Sequence, residues 1–599
     1  MLNGGYLLKT AHVNLKLKKT KTQKVDEDFA VKNIGGRGWG AKMLHNFYDG
    51  MIDPWSPENK IVVAAGPLSG LPVPSSGRLS FSAISPATGL YGDSNMGGDL
   101  VVALKRAGFD SLILDDVSSS PSIVVVEDGA VRIDDGSAYW GMKSLDAEKA
   151  LKKDYADSKI AVIGPAGENL VKIAAITSDF GRQAARCGIA AVMGQKKVKA
   201  IIAKGDEDIP MADSETVKRL FQETLDHMRG NKALPLWQRL GTTQTVEWCQ
   251  ASSCLPTRNF SAGQFESAEG IEAEAMAKRV RVGNKGCFQC ELLCGQVSAV
   301  GDLKVEGPEY ETLSMLGSNC GIGSVEDVVK ANYICDQLGL DTISAGNVAA
   351  FAMECYEKSL IDREDTDLDL RFGNSDALNS LLEDIAHRKG LGDVLAEGVR
   401  TASQRIGQGS ERFAMHVKGL EISGYDVRAA PAMALAYATC DIGAHHSRAW
   451  AITYDVQTSR TGYGRDKVER VIYLQHVRPM FDCLGVCRFP WLEMGLDLNI
   501  YAQFYTAATG IETSLEQLLK GSERVWNLTR LVNLRQGLRR SDDWLPDRVF
   551  DNPLPDGPLK GTALKREEFQ KMIDEYYRLR GWDEEGVPTK GKLKELGLG

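Results

Sequence analysis

Residues Cys287 to Cys294 read CFQCELLC, and far downstream Phe481 to Cys487 read FDCLGVC. Three close thiols at C-x2-C-x3-C plus a distant fourth suit a 4Fe–4S cluster, which takes four cysteine ligands. The spacing is neither the bacterial ferredoxin run nor the paired CxxC pattern of zinc sites. It also reverses the C-x3-C-x2-C order of radical enzymes that use S-adenosylmethionine. A zinc site and a group of buried thiols are the competing readings, because free cysteine packs as a small apolar residue. So dense a triplet favours the cluster.

A reducing compartment suits a cluster of this kind. The chain has 599 residues, which predicts roughly three or four domains. Apolar content of 43% and charged content of 25% are those of a globular protein. The net charge of −9 argues against nucleic acid or an anionic membrane surface as partner. The basic run Lys16 to Lys24 is short and mixed with threonine, which reads as a solvated strand or turn. Twelve cysteines suggest no disulfide framework. No signal-peptide pattern opens the chain, and no run of eighteen apolar residues could span a membrane. A cytoplasmic location is expected.

Short apolar runs at Lys60–Ala65, Ser111–Leu114, Ser122–Glu127, Lys159–Ile163 and Val198–Ala203 are bounded by Gly, Pro, Asp or Ser, which reads as strands and turns. Between them, Gly66–Gly98 is dense in Gly, Pro and Ser and reads as loops that let backbone N–H groups approach a ligand. Gly164-Pro165-Ala166-Gly167 lacks the third glycine of a dinucleotide fingerprint. From about Ala212 the periodicity turns helical, over Ser214–Met228, Ser344–Tyr356 and Ser380–His387. Ser324 is placed to cap a helix whose Val328, Ala331, Cys335 and Leu338 share a face. Gly339 would end it, and Asp341 would cap the next. The tail from Asp551, rich in Pro, Gly and charge, is expected to wrap the surface. These shifts predict an α+β chain. A β-rich cofactor-binding base over 1–208 is followed by two mainly α-helical domains, 209–416 and 417–599.

Together these pieces resemble the tungsten-containing aldehyde:ferredoxin oxidoreductases, nearly end to end. The matching motifs include GPLSG at Gly66–Gly70, GPAGENLVK at Gly164–Lys172, EGPEYE at Glu306–Glu311 and DQLGLDT at Asp336–Thr342. The resemblance implies Cys287, Cys290, Cys294 and Cys487 as cluster ligands, with Cys483 outside the pattern. It implies one tungsten held by the four sulfurs of two pyranopterins (molybdenum uses the same sulfurs). Paired D-x-x-G-L/V-D/C motifs would grip the pterins. These are Asp336, Gly339, Leu340, Asp341 and Thr342, then Asp482, Gly485 and Val486 before Cys487. Arg78 matches the arginine between cluster and pterin. Asn95, Arg182 and the backbone near Ala184 match the region of the pterin phosphates and their magnesium. Arg448 stands where lysine is common, keeping the charge but changing its geometry.

Glu311 and His446 match the positions beside the metal. The resemblance implies oxidation of an aldehyde to its carboxylic acid, with Glu311 as general base and His446 as donor to the carbonyl oxygen. Electrons would leave through the cluster to ferredoxin or a small iron–sulfur subunit. The iron-bridged homodimer of some members is not expected, because its E-x-x-H motif is replaced by Lys330 to Tyr333. Lys278, Arg279, Arg281 and Lys285 are a candidate basic docking patch. Two other readings remain: the active-site subunit of a tungsten-dependent aromatic acyl-coenzyme A reductase, and a non-catalytic iron–sulfur relay.

Overall fold

A computed structural model describes residues 2–598. Twelve strands in the first third form two six-stranded sheets. The first contains β1 Lys9–Asn14, β2 Lys19–Lys24, β3 Ile61–Ala65, β4 Leu79–Ile84, β5 Tyr91–Met96 and β6 Ser111–Asp115, in the order β2-β1-β6-β3-β4-β5. The second contains β7 Ser122–Glu127, β8 Ala130–Asp135, β9 Lys159–Ile163, β10 Ile176–Ser178, β11 Arg182–Ala184 and β12 Val198–Lys204, in the order β11-β10-β9-β12-β7-β8. Each sheet mixes directions: β1 runs parallel to β6 and β12 to β7, and the other pairs are antiparallel. Strand β3, IVVAA, is buried throughout, as a strand covered on both faces must be. Strand β2, KTKTQK, is exposed throughout, and its lysines suit an unpaired edge.

The expected strands are thus present. The Gly-rich stretch Gly66–Gly98 differs from expectation, because β4 and β5 lie inside it, joined by a turn at 85–90. Their register decides part of the site. Leu79 pairs with Met96, which sets Arg78 and Gly97 at the same end of the ladder.

Beyond β12 the chain is mainly helical, beginning with Ser214–Gly230. A three-stranded hairpin set, β13 Arg281–Lys285, β14 Gly295–Val300 and β15 Leu303–Glu306, carries the cysteine triplet in the loop between β13 and β14. Helix Val325–Leu338 starts where Ser324 accepts from the Asp327 N–H, and it ends at Gly339, whose φ of 72° is left-handed. Asp341 then accepts from the Ile343 N–H at 3.1 Å and caps Thr342–Glu357. Helix Arg465–Leu484 ends the same way at Gly485, φ 80°. The C-terminal segment departs from expectation. Arg566–Arg580 is a helix that buries Phe569, Met572, Ile573 and Tyr576. One apolar core joins the regions, containing Val62, Leu338, Val477 and Ile573 alike. Among the described residues no helix is long and apolar enough to cross a membrane.

Candidate active site

A cavity of about 390 Å³ lies where the sheets meet the helices, within the range of small-molecule sites. Its wall includes Cys287, Cys290, Cys294 and Cys487. Two chain segments almost two hundred residues apart meet through Ser75. The Ser75 N–H donates to the Gln289 carbonyl at 2.7 Å, and its own carbonyl accepts from the Cys487 N–H at 3.0 Å. The Arg78 guanidinium donates to Cys487 Sγ at 3.3 Å, and the Arg78 N–H to the Gly485 carbonyl at 3.3 Å. Gly97 lies so close that an added Cβ would sit 2.7 Å from Cys287 Sγ. Burial pushes the Cys287 and Cys294 thiols up. Burial acts on Cys487 too, but Arg78 and Arg488 outweigh it and hold that thiol below the ordinary value. Among the described residues, no three of His, Cys, Asp and Glu converge on a point to hold one metal ion. All four cysteines line one cavity, and four thiols are the donor set that a thiolate-bound cluster takes.

The first D-x-x-G motif lines the same cavity with Asp336, Leu340, Asp341 and Thr342. Asp336 accepts from Gln183 Nε2 at 2.9 Å. Burial and then the Glu306 charge raise its pKa well above the carboxylate range. Asp341 Oδ2 lies 3.3 Å from Arg186 Nε. The second motif sits behind the wall: only Cys487 of it lines the cavity. Asp482 Oδ2 accepts from Arg448 Nη1 at 2.8 Å, and Arg448 also reaches Asp93 and Asp441. Arg37 completes this buried network through Asp441 and Asp93.

Asn95, Ala184, Gly339, Gly485, Val486 and Arg448 stand outside the cavity wall. Asn95 Nδ2 donates to Asp93 Oδ2 at 3.1 Å, so it belongs to the edge of the same buried network. Arg182 is on the wall, 3.0 Å from Glu306 Oε1, with an unpartnered Nε. Burial opposes its charge, but Cys287, Glu306 and Cys294 raise its pKa. Arg182 therefore faces the cysteines as well as the region assigned to the phosphates.

Glu311 and His446 meet. His446 Nδ1 is 3.0 Å from Glu311 Oε1 and 3.2 Å from Ser423 Oγ. Glu311 Oε2 accepts from the Gly424 N–H at 2.7 Å, which fixes the carboxylate plane. Glu311 sits at a helical turn that continues into a π-type turn, Leu313–Gly317, a distortion frequent at functional sites. Burial lowers the His446 pKa, only partly offset by Glu311. His445 is half-buried beside it on the cavity wall, with its own pKa pushed well down by desolvation and His446.

Charged residues of the wall that escaped sequence reasoning include Arg186, Arg478, Arg488 and Glu493. Burial, against the pull of Arg478 and Arg488, lifts Glu493 to about 7. Arg488 follows Cys487 directly, which was the one available signal. The basic docking patch is not free. Arg279 pairs with Glu326 at 2.5 Å, Lys285 with Glu306 at 3.0 Å, and Lys278 with Glu274 at 3.7 Å. Arg281 folds back onto Gln296 at 2.7 Å.

Sequence comparison agrees with this geometry. Residues 10–205 match the family description "Aldehyde ferredoxin oxidoreductase, N-terminal domain", and residues 216–598 match "domains 2 & 3" of the same family. The chain belongs to the aldehyde ferredoxin oxidoreductase family. It is 38% identical to the tungsten-containing aldehyde ferredoxin oxidoreductase of Pyrococcus furiosus over 601 residues, 98% of each chain. The aliphatic sulfonate oxidoreductase WOR-like subunit of the same organism is 30% identical over 627 residues, 99% of this chain and 97% of that one. Among solved structures, the active-site complex BamBC of benzoyl coenzyme A reductase, in complex with 1,5-dienoyl-CoA, has a TM-score of 0.87. Identity there is 26%, covering 100% of this chain and 98% of that one. The protein is therefore an oxidoreductase-family member whose relatives include tungsten-containing enzymes.

Proposed function

We propose that the chain is a cytoplasmic tungstopterin enzyme that oxidises an aldehyde and water to a carboxylic acid, releasing two protons and two electrons. The observation that carries this reading is the Glu311–His446 pair, 3.0 Å apart, on the wall that the four cysteines share. Cys287, Cys290, Cys294 and Cys487 hold a 4Fe–4S cluster. Asp336 to Thr342 and Asp482 to Val486 flank the two pterins, with Asn95, Arg182 and the Ala184 backbone toward their phosphates and magnesium. Arg448 holds Asp482. The regions 1–208, 209–416 and 417–599 act as base and two covering domains.

When bound, the pterin-held metal supplies a two-electron acceptor beside the substrate carbonyl. Glu311 takes a proton from the attacking water, its second oxygen already committed to the Gly424 N–H. His446 donates to the carbonyl oxygen from Nε2. In that tautomer the Ser423 hydroxyl donates to Nδ1, and Oε1 of Glu311 is left without a hydrogen bond. A proton gained by Glu311 can then pass to Nδ1. Arg78, bonded to Cys487 Sγ, lies between the cluster and the pterin, and electrons leave from the cluster to ferredoxin or a small iron–sulfur subunit. The segment Lys278–Lys285 remains a candidate docking surface, its charge reduced by pairing with Glu274, Glu306 and Glu326. The iron bridge between subunits is not proposed: Lys330 pairs with Asp327 at 3.0 Å, and the Tyr333 hydroxyl accepts from Gln337 at 2.9 Å.

Tungsten, iron and sulfide analysis followed by viologen-linked aldehyde oxidation tests the reading. Glu311→Gln retains the metals and loses about 10²–10⁴-fold in rate. A fully metallated Glu311→Gln protein with near-normal turnover overturns it. The likeness to BamBC supports a second reading, reduction of an aromatic coenzyme A thioester. Turnover of such a thioester with no aldehyde oxidation would favour it.

A further inference from the structure

One short loop touches both members of the candidate catalytic pair. Ser423, Gly424 and Tyr425 come just after the strand Leu420–Glu421. The Gly424 N–H holds Glu311, and the Ser423 hydroxyl meets His446 Nδ1 at 3.2 Å. Ser423 is fully buried, and its hydroxyl has one further partner, the Tyr437 hydroxyl at 2.8 Å. Tyr437 stands on helix Pro431–Ala438 and is also fully buried. Its hydroxyl has a second acceptor, the Ser423 carbonyl at 3.2 Å. Burial and then the Glu311 charge push the Tyr437 pKa well up, so the phenol keeps its hydrogen. Neither Ser423 nor Tyr437 lines the cavity.

Each hydroxyl has one hydrogen to place, and two complete arrangements exist. When Nδ1 carries no proton, Tyr437 donates to Ser423 Oγ and Ser423 donates to Nδ1. When Nδ1 carries a proton, it donates to Glu311 Oε1 at 3.0 Å. Ser423 then turns to donate to Tyr437, and Tyr437 turns to the Ser423 carbonyl. Neither arrangement leaves a hydroxyl hydrogen without an acceptor. Removing one hydroxyl spoils one arrangement and spares the other. Without the Tyr437 hydroxyl, a protonated Nδ1 leaves the buried Ser423 hydrogen unpaired, which is costly. Without the Ser423 hydroxyl, a bare Nδ1 faces the Glu311 carboxylate with no donor between them.

We propose that Tyr437 is a positioning residue that acts through Ser423. The two hydroxyls turn together and let His446 Nδ1 alternate between accepting and donating. This rests on the aldehyde reading. There His446 needs its Nε2–H to donate to the carbonyl oxygen, and a free Nδ1 to receive the proton that Glu311 gains. The hydroxyl pair keeps both states within reach of each other.

The test locates the proton on His446 by nitrogen-15 NMR. It uses full-length, metal-loaded protein in its oxidised form, carrying labelled histidine, under conditions where the ring holds a single proton. The His446 signals are those lost in His446→Gln. The unaltered protein should show both tautomers. Tyr437→Phe should move the proton toward Nε2 and Ser423→Ala toward Nδ1, each by about tenfold in the ratio of the two forms, the effect of one buried polar group left unpaired. In viologen-linked turnover both variants should lose about tenfold in kcat at unchanged KM, since neither hydroxyl reaches the cavity. Shifts in the same direction in the two variants, or an unmoved proton in either, overturn the proposal. A change in KM without a change in kcat also overturns it. If the proton moves in opposite directions and no aldehyde is oxidised, the hydroxyl switch stands and the aldehyde reading falls. If Glu311→Gln abolishes aldehyde oxidation while the proton stays as in the parent in Tyr437→Phe and Ser423→Ala, the switch falls and the aldehyde reading stands.

Discussion

The two D-x-x-G motifs have one backbone and two electrostatic environments. Each closes a helix on a left-handed glycine, Gly339 at φ 72° and Gly485 at φ 80°. Each places an aspartate three residues earlier. There the likeness stops. Asp336 faces the cavity, bonded to neutral Gln183 and near Glu306, and its charged form is disfavoured by burial. Asp482 is turned from the cavity and bound to Arg448, which also reaches Asp93 and Asp441. A motif fixes a turn, and the surroundings decide whether its carboxylate carries charge. The same letters therefore give one open acceptor and one structural ion pair.

The largest effect that could break this comparison comes from Asp482→Asn. It removes one partner of a buried ion pair and leaves Arg448 with less compensation, a loss of about 3–5 kcal/mol. The measured quantity is the urea midpoint of the purified protein. The matching Asp336→Asn should cost under about 1.5 kcal/mol, the net worth of an ordinary hydrogen bond. Equal losses at the two sites would mean the two aspartates do not differ as described.

The glycines sharpen the contrast at lower magnitude. A Cβ at Gly485 would collide with the Ser69 hydroxyl and lie 2.9 Å from the Gly66 nitrogen. At Gly339 the nearest atoms are the Gly164 nitrogen at 3.0 Å and the Ala175 carbonyl oxygen at 3.2 Å. Both alanine variants bear the left-handed penalty of about 1–2 kcal/mol. Gly485→Ala adds overpacking of about 1–3 kcal/mol. Gly485→Ala should therefore melt at a lower temperature than Gly339→Ala, and the reverse order would contradict the packing at the second motif.

Much of this was legible locally. Ser122–Glu127 and Lys159–Ile163 are strands with the expected bounds, because short β-branched runs between turn residues leave little alternative. Ser324, Gly339 and Asp341 cap as their chemistry dictates. The helix Arg566–Arg580 was obscured by charge, although Phe569, Met572, Ile573 and Tyr576 have helical spacing. Strands β4 and β5 were hidden by the Gly and Ser around them. The two thiolate segments were readable only as a motif. Their junction through Ser75 is a backbone contact that no spacing encodes. The same holds for Arg478 and Arg488. Whether an arginine is paired depends on what folds beside it, and both sit near Ser447, more than thirty residues from either in sequence.

The smallest effect concerns pH and distinguishes the aspartates most directly. Burial raises the folded-state pKa of Asp336 above its unfolded value. A carboxyl raised in this way binds its proton more tightly when folded. Its stabilising share is complete below the unfolded pKa of about 3.9 and is lost as pH rises through the folded pKa. Cofactor-free protein should thus lose stability from this residue as the buffer moves upward from acid, and Asp336→Asn should lack that slope. The melting temperature of the variant relative to the parent therefore increases with pH. With cofactor bound, N–H donors to Asp336 would favour its carboxylate and flatten the parent's own slope. Identical pH profiles for parent and variant, with and without cofactor, would show that Asp336 carries the same charge folded and unfolded, and the contrast with Asp482 would then be one of hydrogen bonding alone.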